Sequence, residues 1–254
     1  MTDKYFIRTV QNAMQILQLF THQKREWTLT EIANEKGMSP ASTLRLLRTL
    51  EDYHYLERDK KTKKYKLGLS ILQLSGVVTA TMELHREAQG VALELANKLG
   101  EAVHIGILEE TATVYLNKIE SLHPVSLASY IGKQIPSYCS GCGKVILAHK
   151  NEKEREKIIS QLQEEGFHPL ASNTVQSSTR LREDLDKIRE LGYAVCVNEV
   201  SEGITSIAAP IFDHSREVIA GISITGPNNR ISVEKCILHV VKAGKQISEK
   251  LGCY

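Results

Sequence analysis

The recurrence of apolar and polar positions divides the chain into unlike parts. In "VQNAMQILQLF", Val10, Ala13, Met14, Leu17 and Phe20 fall at helical spacing and predict a helix with one buried face. "TLTEIANEKG" predicts a second helix. Thr28 followed three residues later by Glu31 has the form of a capping box, Leu29, Ile32 and Ala33 supply a buried side, and Gly37 suits the stop. After the turn "GMS", "SPASTLRLLRTLEDYHYL" predicts a third helix, with Ser39 as N-cap and Pro40 in the first helical position. On a helical wheel Leu44, Leu47 and Leu50 group on one side, and Ser42, Arg45, Arg48 and Thr49 on the other. The pattern then becomes extended. "YLERDKKTKKYKLG" predicts a β-ribbon, with strands from Tyr55 to Arg58 and from Lys64 to Leu67 around the tip "DKKTK".

"LGLSILQLSGVVTATMELHREAQGVALELANKLG" predicts one long helical stretch, softened by Gly76 and Gly90. Leu69, Leu72, Leu74 and Val77 spread over more than one face, and a helix apolar on several faces needs partners. From residue 102 strands and helices mix. "AVHIGILEE" and "TVYLNKIES" predict adjacent strands. "KEREKIISQLQEEG" and "LREDLDKIRELG" predict amphipathic helices, each ending at Gly. "YAVCVNE", "ITSIAAPIFD" and "VIAGISITG" predict strands, and "SVEKCILHVVKAGKQISEKLG" a closing helix. The expectation is a mixed sheet covered by helices.

Composition changes this picture mainly through charge. The first 66 residues carry 13 Lys/Arg against 8 Asp/Glu, a net of +5, whereas the remaining 188 carry 19 against 22, a net of −3. A basic head on a mildly acidic body suggests a polyanionic partner for the head. Its helix, Gly-containing turn and helix have the helix-turn-helix layout, whose second helix enters the DNA major groove N-terminus first. Ser42 and Arg45 lie early enough to reach base edges, where Arg can pair with guanine. The candidate DNA-binding set is Ser39, Pro40, Ser42, Thr43, Arg45, Arg48 and Thr49, with Lys60, Lys61, Lys63 and Lys64 of the ribbon meeting phosphates. No apolar run approaches the roughly 20 residues of a membrane helix, and "MTDKYFIRTVQNAM" has no signal-peptide core. A cytoplasmic protein is expected. Five cysteines, an odd count without an export signal, argue against a disulfide framework.

"LTEIANEKGMSPASTLRLLRTLEDYHYLERDKKTKKYKLG" resembles the winged helix-turn-helix of IclR-type bacterial transcriptional regulators. "IGKQIPSYCSGCGKVILA", "LREDLDKIRELGYAVCVNEVSEGITSIAAPIFD" and "VIAGISITGPNNRIS" extend the resemblance over residues 8 to 252. It implies an α+β chain: a winged helix-turn-helix over residues 1–68, a linker helix over 69–86 that crosses its counterpart in a dimer, and a GAF-like α/β domain over 87–254 for effector binding and oligomerisation. The implied function is a ligand-responsive repressor, not an enzyme. It would bind palindromic double-stranded operators as a dimer or tetramer, sense a small carboxylate, need no cofactor and have no membrane partner. Matched motif to motif, Ile135, Cys139, Gly141 and Cys142 fall in one wall of the effector pocket, with backbone donors at Gly141 and Cys142. Cys196 stands where many members carry Asp or a similar polar residue, and Ser206 falls at a ligand-facing position.

The residues themselves add to this. "SGCGKVILAH" predicts a helix whose start, opened by Gly141 and Gly143, offers unpaired N–H groups to an anion. Ser223 and Thr225 are two apart on a strand, so their hydroxyls share a face. Three roles stay open for Cys139, Cys142 and Cys196: small pocket or core residues, sensors of oxidants or electrophiles, or ligands of zinc with His104 or His149 as a fourth. The C-x-x-C lacks a second pair at matched spacing. A competing class is an enzyme using Cys142 as a nucleophile beside Lys144 or a histidine, but no P-loop, G-x-S-x-G or H-E-x-x-H is present. A third is a scaffold that uses the head for protein contacts.

Overall fold

The structure, a computed structural model, describes residues 7–123, 127 and 129–254. The chain divides into two compact units that meet at Thr81 and Met82.

The first unit holds α1 (Arg8–Leu17), α2 (Leu29–Glu35), α3 (Pro40–Asp52), β1 (Leu56–Arg58), β2 (Tyr65–Leu67) and α4 (Leu69–Thr81). The predicted capping box closes: Thr28 Oγ1 accepts from the Glu31 amide, and the Glu31 carboxylate accepts from the Thr28 amide. Ser39 caps α3 by accepting from the Ser42 amide. Ile16, Trp27, Ile32, Leu47, Leu50, Leu56 and Tyr65 form the core. On α1 the buried anchor is Ile16, while Val10 and Met14 stay exposed, so the inward face is rotated from the predicted one. β1 and β2 pair antiparallel, and Trp27 extends the ribbon through two backbone hydrogen bonds with Tyr65. At the tip, the Asp59 carboxylate accepts from the amides of Lys61 and Thr62.

The helical stretch predicted as continuous is interrupted. Met82 has extended backbone, with φ −88° and ψ 103°, and α5 (Glu83–Leu99) starts after it. Gly76 and Gly90 both lie inside helices. Glycine weakens a helix interior by about 1 kcal/mol but does not forbid it. No residue of α4 is buried.

The second unit continues with β3 (Ala102–Glu109), β4 (Ala112–Ile119), β5 (Gln134–Pro136), α6 (Gly141–His149), α7 (Glu152–Glu165), α8 (Ser178–Leu191), β6 (Ala194–Val197), β7 (Ile204–Phe212), β8 (Val218–Pro227) and α9 (Val233–Lys250). α7 and α8 end at Gly166 and Gly192. The six strands run in the order β5-β4-β3-β8-β7-β6, and every neighbouring pair is antiparallel. This corrects the expected mixed sheet. A parallel pair needs a helical crossover between neighbouring strands, but the α6–α8 excursion joins the two edges of the sheet, β5 and β6. β5, three residues long, was too short to predict.

Alternation along the strands builds two cores. Val103, Ile105, Ile207, Ala209, Ile222 and Ile224 face α5 and α9. The opposite face meets α6 and α8, with Cys142, Val145, Leu181, Leu185 and Ala208 in its core. α6 sits very close to the sheet because β3 and β8 present glycine there. A Cβ on Gly106 would lie 2.9 Å from the Cys142 Cβ, and one on Gly221 would lie 2.9 Å from the Cys142 Cα. Among the described residues no helix is long and apolar enough to cross a membrane.

Gly221→Ala is expected to destabilise the second unit by about 1–3 kcal/mol, because the new methyl meets α6 backbone rather than a movable side-chain tip. A lowered urea midpoint at unchanged m-value checks this; an unaltered midpoint contradicts the close seating.

Candidate functional site

Two surfaces gather the chemistry. On the first unit, α3 turns Ser42, Arg45, Arg48 and Thr49 outward, with Ser39 and Pro40 exposed at its start. Thr43 does not belong with them. It is fully buried in the stripe of Leu47 and Leu50, and its hydroxyl donates to the Ser39 carbonyl at 3.1 Å, so no base can reach it. The predicted wheel placed Leu44 in that stripe, but Leu44 is only half-buried. On the wing Lys60, Lys61 and Lys63 are exposed, whereas Lys64 is half-buried and lies 3.5 Å from the Glu26 carboxylate.

In the second unit a cleft of about 60 Å³ opens beside the start of α6. Ile135, Cys139, Gly141, Cys196, Ser206 and Thr225, foreseen from separate segments, line it together. β8 pairs Thr225 opposite Ser206 of β7, and the Thr225 hydroxyl donates to Ser206 Oγ at 3.1 Å. Ser140 caps α6 by accepting from the Gly143 amide, and shares a hydrogen bond with the Tyr115 hydroxyl.

Cys142 and Ser223 do not line the cleft. Both are almost fully buried beneath the helix start and share a hydrogen bond between thiol and hydroxyl. Alternation does place Ser223 on the predicted sheet face, but α6 covers it, and only the tertiary packing decides that.

Sequence reasoning missed most of the remaining wall: Tyr115, Ser129, Lys133 and Ser140. His104, weighed there only as a zinc ligand, lines the cleft and stacks on Tyr115 with ring centroids 4.6 Å apart. Its position between Val103 and Ile105 on an alternating strand was the one available signal. Burial, reinforced by Lys118 and Lys133, pushes the His104 imidazole down to about 3 and keeps it neutral. Burial and the same Lys118 lower Lys133.

Lys144 is almost fully buried on α6. Burial works against its charge, but Glu199 (2.6 Å) and Asp184 of α8 (3.1 Å) hold it as an ammonium. Burial raises Glu199, which Lys144 opposes. The ion pair fastens α6 to α8 and to the segment after β6. Lys144 is thus a buried structural cation rather than an activator of Cys142. A larger open groove of about 750 Å³ runs along α8 and shares only Glu199 with the cleft. It contains none of the foreseen residues, and the cleft at α6 is the better enclosed of the two.

The three cysteines are thiols. Burial pushes Cys139 up to about 12, Cys142 up to about 11 and Cys196 well above the ordinary thiol value. The start of α6 does not overcome that burial. Among the described residues no three His, Cys, Asp or Glu side chains are placed to hold a metal ion.

A winged helix-turn-helix with outward Arg and hydroxyl side chains, in one chain with an α+β unit enclosing a small polar cleft, defines a ligand-responsive DNA-binding protein. Residues 9–60 match the IclR helix-turn-helix domain, and residues 77–251 match the C-terminal domain of bacterial transcriptional regulator IclR. The chain belongs to the IclR family of bacterial transcriptional regulators. It is 31% identical over 225 residues to the regulator XynR of Escherichia coli (89% of this chain, 88% of the relative). It is 33% identical over 248 residues to KipR of Bacillus subtilis (96% and 97%). Its fold is similar to that of an IclR homologue from Microbacterium hydrocarbonoxydans solved with 4-hydroxybenzoate, at TM-score 0.85 and 21% identity, over 96% of this chain and 98% of that one. These relatives are regulators by name, and the chain is a transcriptional regulator rather than an enzyme.

With burial raising the thiols, thiolate forms only well above neutral pH. In the native protein at pH 8, a disulfide reagent is expected to titrate half-exposed Cys253 quickly and the other four cysteines only after unfolding. Rapid native labelling of Cys139 or Cys196 would revive the oxidant-sensing alternative.

Proposed function

We propose that the protein is a cytoplasmic repressor that binds a palindromic operator as a dimer or tetramer and is controlled by a small carboxylate. The observation that carries the carboxylate reading is the cleft itself: the start of α6, the Ser206–Thr225 hydroxyl pair and Lys133 line one small enclosed space. Helix-start N–H groups and hydroxyls suit a carboxylate without a metal. The solved IclR homologue that holds 4-hydroxybenzoate supports an acid of this kind.

α4 supports self-association. Leu69, Leu72 and Val77 are each at least 65% exposed, and a helix with no buried residue needs a partner to cover it. A second copy of α4, crossing the first, covers both. The dimer then spaces two α3 helices by roughly 34 Å, one turn of DNA. Effector binding biases the arrangement of the linker through its different affinity for two states.

In this division of roles Arg45 and Ser42 read bases, and Lys60, Lys61 and Lys63 meet phosphates. Titrating DNA from the gene's own upstream region tests it. Arg45→Ala is expected to cost about 1–3 kcal/mol on the operator and to relax sequence preference. Replacing Lys60, Lys61 and Lys63 together by Ala is expected to weaken all duplexes alike and to flatten the log–log salt slope by roughly 0.9 per lysine. Identical behaviour of the two variants contradicts the division. Ser206→Ala with Thr225→Ala is expected to weaken the response to a bound acid while operator affinity persists; loss of operator binding would mark these hydroxyls as structural.

A further inference from the structure

We propose that Arg58, where the wing meets α3, is a phosphate-binding residue of the DNA interface, held in place by Tyr65 and acting beside Arg48. This rests on the DNA-binding reading of the first unit. It adds a contact that neither the base-reading residues of α3 nor the lysines of the wing tip supply.

The ribbon has two unlike faces. Its register sets Glu57 opposite Lys66 and Arg58 opposite Tyr65, so each pair shares a face. Glu57 and Lys66 satisfy one another across the outer face at 3.2 Å. Arg58 lies on the other face, with Leu56 and Tyr65, which belong to the core of the first unit. β1 packs against α3. A charged side chain on the inward face of a ribbon needs something to hold it there. Tyr65 does so: it is fully buried, and the exposed Arg58 guanidinium carbon lies 5.4 Å from its ring centre, within reach of a cation–π contact.

Arg58 is not alone at this joint. Burial raises the Tyr65 hydroxyl, Arg58 opposes that rise, and Glu51 and Arg48 of α3 act on the same hydroxyl. Arg48 is exposed as well. Among the described residues the ion pairs of the first unit join Lys24 to Glu31, Lys64 to Glu26 and Lys66 to Glu57, and neither guanidinium takes part in one. Two cations from different elements thus flank one point of the surface, and neither is paired with a carboxylate. An anion from outside resolves that arrangement. With α3 in the major groove, the DNA strand bordering the groove runs past the joint of helix and wing, and its phosphates are the anions that arrive there. Arginine meets a phosphate with two parallel N–H bonds. The contact carries no sequence information; it fixes the register in which α3 meets the bases.

The test is fluorescence anisotropy on the full chain, with a duplex from the gene's own upstream region and a scrambled duplex of equal length, between roughly 50 and 200 mM salt. Arg58→Met keeps an apolar stem over Tyr65 and removes the charge. It is expected to weaken both duplexes about tenfold and to flatten the log–log salt slope by roughly 0.9 for each Arg58 bound. Arg58→Lys is expected to restore the slope but only part of the affinity, because lysine lacks the paired N–H geometry. Lys66→Met removes the same charge from the other face of the ribbon and is expected to leave the slope unchanged. Methylphosphonate substitution, one phosphate at a time, supplies a readout that a purely structural arginine would not move. At one position in each half-site the neutral linkage is expected to weaken the wild type and to leave Arg58→Met unaffected. A wild-type slope in Arg58→Met, an equal loss in Lys66→Met, or the absence of any such phosphate overturns the proposal while DNA binding stands. A lowered urea midpoint of Arg58→Met with an unchanged slope overturns it too, and makes Arg58 a cap on Tyr65 alone. Should Arg58→Met not fold, the same phosphate scan on Arg58→Lys decides: a diminished effect at that position supports the contact, and an undiminished one overturns it. No binding of either duplex by the wild type overturns the DNA reading and this proposal with it.

Discussion

The seating of α6 on the sheet is the contact on which the functional unit depends. Gly106 and Gly221 let the first turn of the helix approach strand backbone at distances no other residue allows. Cys142 fills the space between them. That approach fixes where the helix begins, and the helix start forms a wall of the cleft. A larger residue at either glycine would lift α6, and with it Ser140 and Gly141, away from Ser206 and Thr225.

The sheet supports this by separating its two faces. Toward α5 and α9 the strands send Val, Ile and Ala side chains, a continuous apolar core. Toward α6 they send smaller and more polar ones: His104, Gly106, Ser206, Ala208, Ser223 and Thr225. Buried polar atoms on that side have to be paired internally or by a ligand. Ser223 and Cys142 satisfy one another, Thr225 and Ser206 do likewise, and Lys144 is held by Glu199 and Asp184. The ion pair gives no sign of catalysis. Removing one partner would strand charge in the interior, typically a loss of about 3–5 kcal/mol, so its role is to hold α6, α8 and the segment after β6 in register.

The C-x-x-C thus separates into two unlike residues. Cys139 lines the cleft and its thiol donates to the Pro136 carbonyl, while Cys142 packs under the helix. One turn of spacing and a cap between them send the two thiols to different environments. The partial positive charge of a helix start would favour thiolate, but removal from water dominates for both.

Much of the architecture was legible in the chain. The capping box at Thr28, the Ser39–Pro40 start of α3, the glycine stops of α7 and α8 and the alternating strands are local patterns whose physics needs few distant partners. The outward residues of α3 were legible for the same reason, since a helix face follows from spacing. What spacing could not fix was the rotation of a face relative to its neighbours, hence Thr43 inside and Val10 and Met14 outside. Nor could it fix strand order. The antiparallel sheet, the burial of Ser223 and the arrival of His104, Tyr115 and Lys133 at one cleft depend on register between segments more than a hundred residues apart. Local sequence determines which side chains can share a face; only the packed structure decides which faces meet, because burial is a property of the pair.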